Sequence, residues 1–283
     1  METQTTKSSS VVKNQKIDET LFAKPIIVEN PADCNFYHAM TLPGLGEVGR
    51  EWDLRDNIGD YLGDIDFNGK RVLDVGTASG YLTFEMEKRG AEVVSFDMKS
   101  GKQWNVVPHY KLVNRREQMF EYIAKGHQQL QNAYWYAHRA LGSNAKAYYG
   151  DVYDIPEQIG KFDVVLFGMI LSHLRDPFQA LYSASRLSAD TVIITNQTRK
   201  DDSPNCYFLP SAENEKENRG WWSFTDGCFE RMLGVLGFVV QSKKRQEYKC
   251  IVRSEPTIHT CSTMVARRLE VVSNVQSPTA KVA

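Results

Sequence analysis

The chain has 283 residues, of which 42% are hydrophobic and 24% are charged, which is the composition of a globular protein with a substantial core. Its formal net charge of −1 at pH 7 gives no whole-molecule field to recruit nucleic acid or an anionic membrane, although a local basic patch is compatible with it. No run in the sequence approaches the roughly 18 apolar residues that span a bilayer, so we expect no membrane partner.

The two ends of the chain are polar and frame one predicted domain. Residues 1–20 are rich in Ser, Thr, Lys and Gln, which is typical of a mobile tail, and we expect a second flexible tail over residues 269–283. Residues 21–68 are predicted to form an N-terminal extension or lid, and residues 69–268 the main domain. No repeat or low-complexity linker interrupts them.

From Arg71 onward, predicted strands and helices alternate. Strands are indicated by short β-branched and aromatic runs, and helices by good helix formers with Pro at the start or Gly at the end. The predicted strands are 71–75, 91–97, 145–149, 162–167 and 191–195, and the predicted helices are 81–89, 114–141, 177–186 and 225–236. Two further strand-like runs, 238–241 and 260–266, are separated by a predicted loop.

This order predicts an α/β protein whose mostly parallel sheet carries helices on both faces and ends in an antiparallel strand pair. Ligands of such sheets bind beyond the carboxyl ends of the strands. The first strand runs into Asp74-Val-Gly-Thr-Ala-Ser-Gly80, where Gly76 and Gly80 permit a tight turn and a close approach to a ligand. The second strand ends at Asp97, whose carboxylate can accept hydrogen bonds from both hydroxyls of an adenosine ribose.

A nicotinamide cofactor uses the same strand, turn and helix. Its G-x-G-x-x-G fingerprint, started at Gly76, needs glycines where this sequence has Ala78 and Tyr81. Asp74 can instead hold the amino group of a methionine moiety, directly or through water. The pattern therefore favours S-adenosylmethionine, with a purely structural role for Asp74 and Gly76 in the turn as the alternative.

Residues 70–100 resemble motif I and the acid that follows it in class I S-adenosylmethionine-dependent methyltransferases. The sequence departs from the usual D-x-G-x-G-x-G pattern at Ala78. One subgroup is similar over roughly residues 36–268 and includes tRNA wobble-uridine carboxymethyl-transferring enzymes and uncharacterised small-molecule methyltransferases. The segments that carry this likeness are Trp52-Asp-Leu-Arg55, 85–91, 171–177 and Trp221-Trp222. The resemblance implies a Rossmann-like seven-stranded sheet, a methyltransferase domain over residues 69–268, and S-adenosylhomocysteine as product.

The resemblance also implies individual roles. Asp151 occupies the place of the acid that bonds the adenine amino group, with Val152 beside the ring, although Asp151 also suits a turn. Gly168 and Met169 would lie near the methyl sulfonium. The expected cofactor residues are Asp74, Gly76, Thr77, Gly80, Asp97, Met98, Asp151, Val152, Gly168 and Met169.

The acceptor is expected at the rim beyond the fourth strand. His173 lies there and is the candidate general base, with capping of the following turn as the alternative. Aromatic walls can bind a flat or apolar acceptor and shield a sulfonium, although core packing is the commoner fate of an aromatic residue. The N-terminal extension can contribute a lid. The candidate acceptor residues are Trp52, Arg55, Trp104, Tyr134 and Trp222.

No metal site or disulfide framework is expected. The five cysteines are odd in number and lack a C-x-x-C pair, which fits a reducing, cytoplasmic location, and the first 30 residues lack the apolar core of a signal peptide. The histidines outside the rim also lack metal-ligand spacing: His38, His109, His127 and His259.

Three functions are compatible with these features. The favoured one is methylation of an oxygen, nitrogen or carbon atom of a small organic acceptor, such as a natural product. The alternative is a tRNA-modifying methyl- or carboxymethyltransferase. Its supporting feature is the segment from Lys111 to Lys146, which contains six basic residues and only two acidic ones and could therefore contact phosphates. A cofactor-binding regulator without catalysis is the third. The sequence leaves the oligomeric state open, a homo-oligomer included.

Overall fold

The computed structural model describes residues 15–99, 105–215, 220–252 and 255–270. In chain order, the strands are β1 (Met40–Leu42), β2 (Gly46–Val48), β3 (Trp52–Asp53), β4 (Arg71–Val75), β5 (Glu92–Met98), β6 (Lys146–Gly150), β7 (Phe162–Gly168), β8 (Ser188–Arg199), β9 (Cys206–Phe208), β10 (Trp222–Thr225), β11 (Phe238–Val252) and β12 (Glu255–Arg268). The α-helices are α1 (Ile58–Tyr61), α2 (Tyr81–Lys88), α3 (Arg116–Leu141), α4 (Pro177–Ser185) and α5 (Asp226–Val235).

The main sheet of the described residues has the strand order β3-β11-β12-β8-β7-β4-β5-β6, with β10 paired to β8 and β9 paired to β10. Neighbours from β8 to β6 run parallel, whereas β12 is antiparallel to β8 and β11 to β12. The seven strands from β11 to β6 form the predicted Rossmann-like sheet with its antiparallel pair. The fold prediction is confirmed, and β3, β9 and β10 extend the predicted sheet.

Helices cover both faces of this sheet, as the alternation of elements predicts. Helices α1, α2 and α3 pack on one face with a core that includes Phe84 and Trp135, while α4 and α5 pack on the other with Leu181 and Phe229. Strand β4 is buried at every position because helices cover both of its sides, which explains its continuous apolar character apart from Arg71 and one acid.

Local signals fixed several helix ends. The Asp176 carboxylate accepts a hydrogen bond from the Gln179 N–H at 3.0 Å, and Pro177 opens α4 as predicted. The Thr225 hydroxyl likewise accepts from the Cys228 N–H at 3.2 Å and caps α5. Because both caps satisfy N–H groups that lack partners within the helix, they set where these helices begin.

The loop predicted between residues 238–241 and 260–266 is wrong. Strands β11 and β12 continue through that stretch as one long hairpin, paired from Phe238 with Arg268 to Val252 with Glu255. Residues 242–247 are polar and lack apolar alternation, whereas Tyr248 and Cys250 beyond them are buried and alternate with exposed residues. Backbone pairing therefore carries the hairpin through the polar stretch, and burial of Tyr248 and Cys250 anchors the part beyond it.

The N-terminal residues lie along the domain. The Asp18 N–H donates to the Gln158 carbonyl at 3.1 Å, and Glu19 lies 2.8 Å from Lys146 of the edge strand β6, so part of the segment expected as a tail contacts the domain. Further along, Leu54 joins the core, and β3 pairs with β11. The N-terminal extension is thus packed against the α/β domain.

Candidate cofactor and acceptor site

A glycine loop connects β4 to α2 at the point where the sheet topology switches, because β4 lies between β5 and β7. Gly76 and Gly80 have φ values of +84° and +88°, in the left-handed region that favours glycine. The N–H groups of Gly76 and Thr77 both donate to the Phe96 carbonyl, at 2.8 and 3.1 Å. A Cβ on Gly80 would lie 2.6 Å from the Phe84 ring, so packing as well as φ requires glycine there.

Ala78 is the residue at which the loop departs from the usual glycine pattern. Its φ is +51°, also left-handed, and its N–H donates to Asp97 Oδ2 at 2.9 Å. An L-residue in this conformation costs about 1–2 kcal/mol. The loop therefore keeps the backbone shape of the glycine pattern and accepts the steric cost of one methyl group.

Asp74 lies near the end of β4 and is completely buried. Its Oδ2 accepts a hydrogen bond from the Thr83 hydroxyl at 2.7 Å, whereas its Oδ1 has no partner among the described residues. Burial raises the pKa of this carboxyl from 3.8 to about 6, and the Thr83 and Thr77 hydroxyls oppose that shift. A buried carboxylate oxygen without a partner suits a cationic ligand group such as the amino group of a methionine moiety.

A chain of buried hydroxyls, which the sequence gave no reason to expect, leads to Asp74. The Tyr134 hydroxyl donates to Ser95 Oγ at 3.0 Å, Ser95 and Thr83 are 2.7 Å apart, and Thr83 donates to the carboxylate. Thr77 joins at 2.9 Å from Thr83. With every hydroxyl donating in the same direction, the chain orients the carboxylate.

Asp97 lies at the end of β5, and its side chain is 18% exposed. Its Oδ1 accepts from the Met98 N–H at 2.7 Å, and its Oδ2 accepts from the Ala78 N–H of the glycine loop. The imidazole of His127 lies 3.4 Å from Oδ1. Asp97 thus joins β5, the glycine loop and α3 while keeping part of its carboxylate accessible.

The carboxyl ends of β6 and β7 carry the other predicted cofactor residues. Asp151 is exposed after β6, where its Oδ1 accepts from the Tyr153 N–H at 2.9 Å in a turn, and Val152 beside it is buried. Gly168 ends β7, and Met169 follows with φ +62° and an N–H bonded to the Thr195 carbonyl at 2.8 Å. Since β6, β5, β4 and β7 are consecutive parallel neighbours, their carboxyl ends, which carry the predicted cofactor residues, lie along the same edge of the sheet, perpendicular to the strands.

On the acceptor side, the structure brings His173 and Trp222 to the same loop. His173 is exposed at the end of the short 3-10 helix Leu171–His173. The Trp222 indole N–H donates to the Arg175 carbonyl at 3.1 Å, and the Trp221 N–H donates to the Ser172 carbonyl at 2.9 Å. Strand β10 therefore fixes the loop that carries the candidate base.

The remaining candidate acceptor residues lie elsewhere. Tyr134 is 1% exposed and packs between Phe84 and Trp135, so its role is core packing and we remove it from the acceptor wall. The Trp52 ring packs against the His259 ring, with centroids 5.3 Å apart and the planes tilted by 34°.

Arg55 is held by carboxylates of its own segment. Its guanidinium lies 2.7 Å from Asp53 and 2.9 Å from Glu47. It lines a shallow pocket of about 120 Å³ with residues of α2 such as Tyr81 and Lys88, and that pocket contains none of the predicted cofactor residues. Trp104 lies outside the described residues.

Residues 49–241 match a family model described as a methyltransferase domain. This chain belongs to that family. The prediction of a class I S-adenosylmethionine-dependent methyltransferase is confirmed at the level of family and fold. A search of curated protein sequences finds no significant match.

Among solved structures, the methyltransferase is similar to an S-adenosylmethionine-dependent methyltransferase from Methanosarcina mazei, with 13% identity, 75% of this chain and 96% of that chain covered, and a TM-score of 0.50. It is also similar to magnesium protoporphyrin IX methyltransferase from Synechocystis, with 14% identity, coverage of 76% and 81%, and a TM-score of 0.49. A third is 1,6-didemethyltoxoflavin-N1-methyltransferase from Burkholderia thailandensis, with 18% identity, coverage of 75% and 75%, and a TM-score of 0.44.

The N-terminal extension of the methyltransferase reaches the glycine loop through residues that the sequence did not indicate. The N–H groups of Tyr37 and His38 approach Ser79 Oγ at 3.2 and 3.5 Å, and the His38 ring stacks on Tyr81 with centroids 5.7 Å apart. Burial lowers the pKa of His38 to about 3, so this imidazole is neutral. No pattern near residue 38 marks these contacts in advance, because they depend on tertiary packing.

Two features are absent from the described part of the methyltransferase. No group of three or more His, Cys, Asp or Glu side chains within it is arranged to hold a metal ion. No helix within it is both long and apolar enough to cross a bilayer.

Proposed function

We propose that this enzyme transfers a methyl group from S-adenosylmethionine to a small organic acceptor at the edge formed by β4, β5, β6 and β7. The observation that carries the proposal is the unpartnered Oδ1 of the buried Asp74 beneath the Gly76 loop. When bound, the cofactor supplies a methyl group already activated on a sulfonium. The protein therefore has to bind the cofactor and the acceptor, align the acceptor atom with the methyl group, exclude water and in some cases take a proton from the acceptor.

The cofactor roles follow the strand ends. Asp74 would hold the amino group of the methionine moiety, and Asp97 the ribose hydroxyls through the part of its carboxylate that remains accessible. Asp151 and Val152 would contact the adenine. The backbone of the β7 end, at Gly168 and Met169, would lie along the sulfonium, while Gly76, Thr77, Gly80 and Met98 shape the cradle.

The acceptor side rests on the loop that β10 fixes. His173 is exposed there, within reach of solvent, and would take a proton from the acceptor or position it. Trp222 would form an aromatic wall, since its ring is half-buried beside the loop and lies 5.5 Å from the Phe208 ring. We place this chemistry in a methyltransferase domain over residues 69–268, with residues 21–68 as its cover.

A small acceptor is favoured over tRNA because several basic residues of the Lys111–Lys146 segment already have partners. Lys111 lies 3.6 Å from Glu215 and Lys146 lies 2.8 Å from Glu19. The Arg139 guanidinium donates to the Val28 carbonyl at 2.7 Å. Three of the six cations are thus engaged within the protein, which reduces the charge available to phosphates.

Salt dependence separates the two acceptor classes. With a small acceptor, turnover is expected to be nearly insensitive to moderate salt and to replacement of the exposed Arg115, Arg116 and Lys125 by Gln. Trp222→Ala is expected to raise the KM for the acceptor, and His173→Ala to lower the rate constant roughly 10²–10⁴-fold if it is the base. The measurement is transfer of a radiolabelled methyl group to a metabolite extract and, in parallel, to total tRNA, for the wild type and each variant at low and moderate salt.

Two results would contradict this proposal. Salt-sensitive tRNA binding that weakens in the triple Gln variant would support the tRNA alternative. Each phosphate contact to single-stranded RNA contributes about −0.7 to the slope of the logarithm of the binding constant against the logarithm of the salt concentration. Tight cofactor binding without transfer to either extract would support the non-catalytic regulator.

A further inference from the structure

Helix α3 contacts the carboxyl end of β5 through two polar side chains spaced one turn apart. His127 is 4% exposed, and its Nε2 lies 3.4 Å from Asp97 Oδ1. Four residues on, the Gln131 side-chain amide donates to the Met98 carbonyl at 3.3 Å. Residues at this spacing share one helix face, so both side chains reach the strand end from the same surface. Polar residues on the buried stripe of a helix need such partners.

The hydrogen bonds of Asp97 determine which of its oxygens can serve a ligand. An ionised carboxylate only accepts, and each oxygen has about two acceptor sites. Oδ1 faces the Met98 N–H and the His127 ring, whose Nε2 must then carry the hydrogen. Oδ2 accepts from the Ala78 N–H alone among the described residues. Oδ2 therefore offers the ribose the more open acceptor position, beside the glycine loop.

We propose that His127 is a positioning residue for the cofactor ribose. By bonding Oδ1, it holds the Asp97 carboxylate in the one orientation that turns Oδ2 toward both the glycine loop and the ribose. This inference rests on the proposed function, and it assigns to α3 a part in cofactor binding. Without the imidazole, the carboxylate keeps only the Met98 and Ala78 N–H groups as donors, so it is less firmly held and binding must bear part of the cost of ordering it.

The test is calorimetric titration with S-adenosylhomocysteine. His127→Phe keeps the ring volume and removes the donor, and we expect a dissociation constant about tenfold higher than that of the wild type. His127→Gln keeps a donor and is expected to recover most of the affinity. The matched control is His138→Phe, in the same helix, where Nε2 lies 3.0 Å from the Ala145 carbonyl at the far end of α3. This control is expected to bind like the wild type.

A double-mutant cycle distinguishes positioning from general destabilisation. In an Asp97→Ala background, His127→Phe is expected to have no further effect on affinity, because the group it orients is gone. An equal loss in both backgrounds would mean a merely structural role and would overturn the inference. Should His127→Phe not fold, His127→Asn, whose amide is too short to reach Oδ1, takes its place in the cycle.

The two proposals fail in different ways. If the wild type binds S-adenosylhomocysteine and the folded His127→Phe variant binds it equally well, His127 has no positioning role and the proposed function stands. If the folded wild type does not bind S-adenosylhomocysteine, the proposed function itself is wrong.

Discussion

Ala78 occupies a left-handed backbone conformation at φ +51° in the middle of the cofactor loop. Replacing it with Gly removes a steric cost of about 1–2 kcal/mol but adds unfolded-state entropy worth about 0.5–1 kcal/mol. We expect Ala78→Gly to leave the free energy of unfolding unchanged or to raise it by up to about 1.5 kcal/mol in urea titrations. The control is Ala180→Gly within α4, which should lower it by about 1 kcal/mol. Equal losses in both variants would contradict the strain at residue 78.

Asp74 links stability to pH. Its pKa is raised from 3.8 to about 6 in the folded state, so between these values the folded protein binds more protons than the unfolded one. The free energy of unfolding therefore falls as pH rises through this window, by roughly 3 kcal/mol once pH exceeds 6. Asp74→Asn removes this titration while keeping the side-chain shape. The variant is expected to be more stable than the wild type at pH 7.5, with little difference at pH 4.

Urea unfolding at the two pH values measures this effect, and calorimetry with S-adenosylhomocysteine on the same samples measures its functional cost. The neutral amide should bind the cofactor amino group more weakly than the carboxylate does. A variant that gains the same stability at both pH values would show that the Asp74 carboxyl does not titrate in this window.

At the residue scale, local sequence patterns identified the acidic residues at the ends of strands but not the side chains that contact them. Asp74 and Asp97 could be predicted because each follows a β-branched run at a strand terminus. Thr83, Ser95 and His127 could not be predicted, since they come from three separate elements and meet only after the sheet and helices pack. A hydroxyl or imidazole without a motif gives no sign of its partner.

At the element scale, the predicted boundaries are close to those found wherever one face of an element is apolar. Strand β7 begins at Phe162 as predicted, and α5 lies between the Thr225 cap and Gly237. The hairpin of β11 and β12 was missed because residues 242–247 are polar, so no apolar alternation in the sequence connects the first run to the buried Tyr248 and Cys250.

Helix α3 shows a second limit at this scale. Ile123, His127, Gln131 and Tyr134 form its buried stripe at helical spacing, which identifies Tyr134 as a core residue. Two polar residues in the stripe concealed this spacing in the sequence. Tyr134 was therefore predicted to contact the acceptor, and its burial rules that role out.

At the scale of the whole molecule, the strand order accounts for the position of the site. Four consecutive parallel strands end at one edge, and each supplies a residue of the predicted cofactor set. The alternation of elements was enough to predict this edge, because parallel strands joined by helices place their carboxyl ends together. How the N-terminal extension approaches Ser79 depends on long-range packing, which no local pattern in the chain encodes.

The central claim is that this edge binds S-adenosylmethionine, and calorimetric titration of the purified protein with S-adenosylhomocysteine tests it most directly. We expect the wild type to bind at micromolar concentration. The folded Asp97→Ala variant is expected to bind about 1–3 kcal/mol more weakly, because removal of the carboxylate leaves ribose hydroxyls unpaired. No heat of binding from the folded wild type, or an unchanged dissociation constant in Asp97→Ala, would contradict the account.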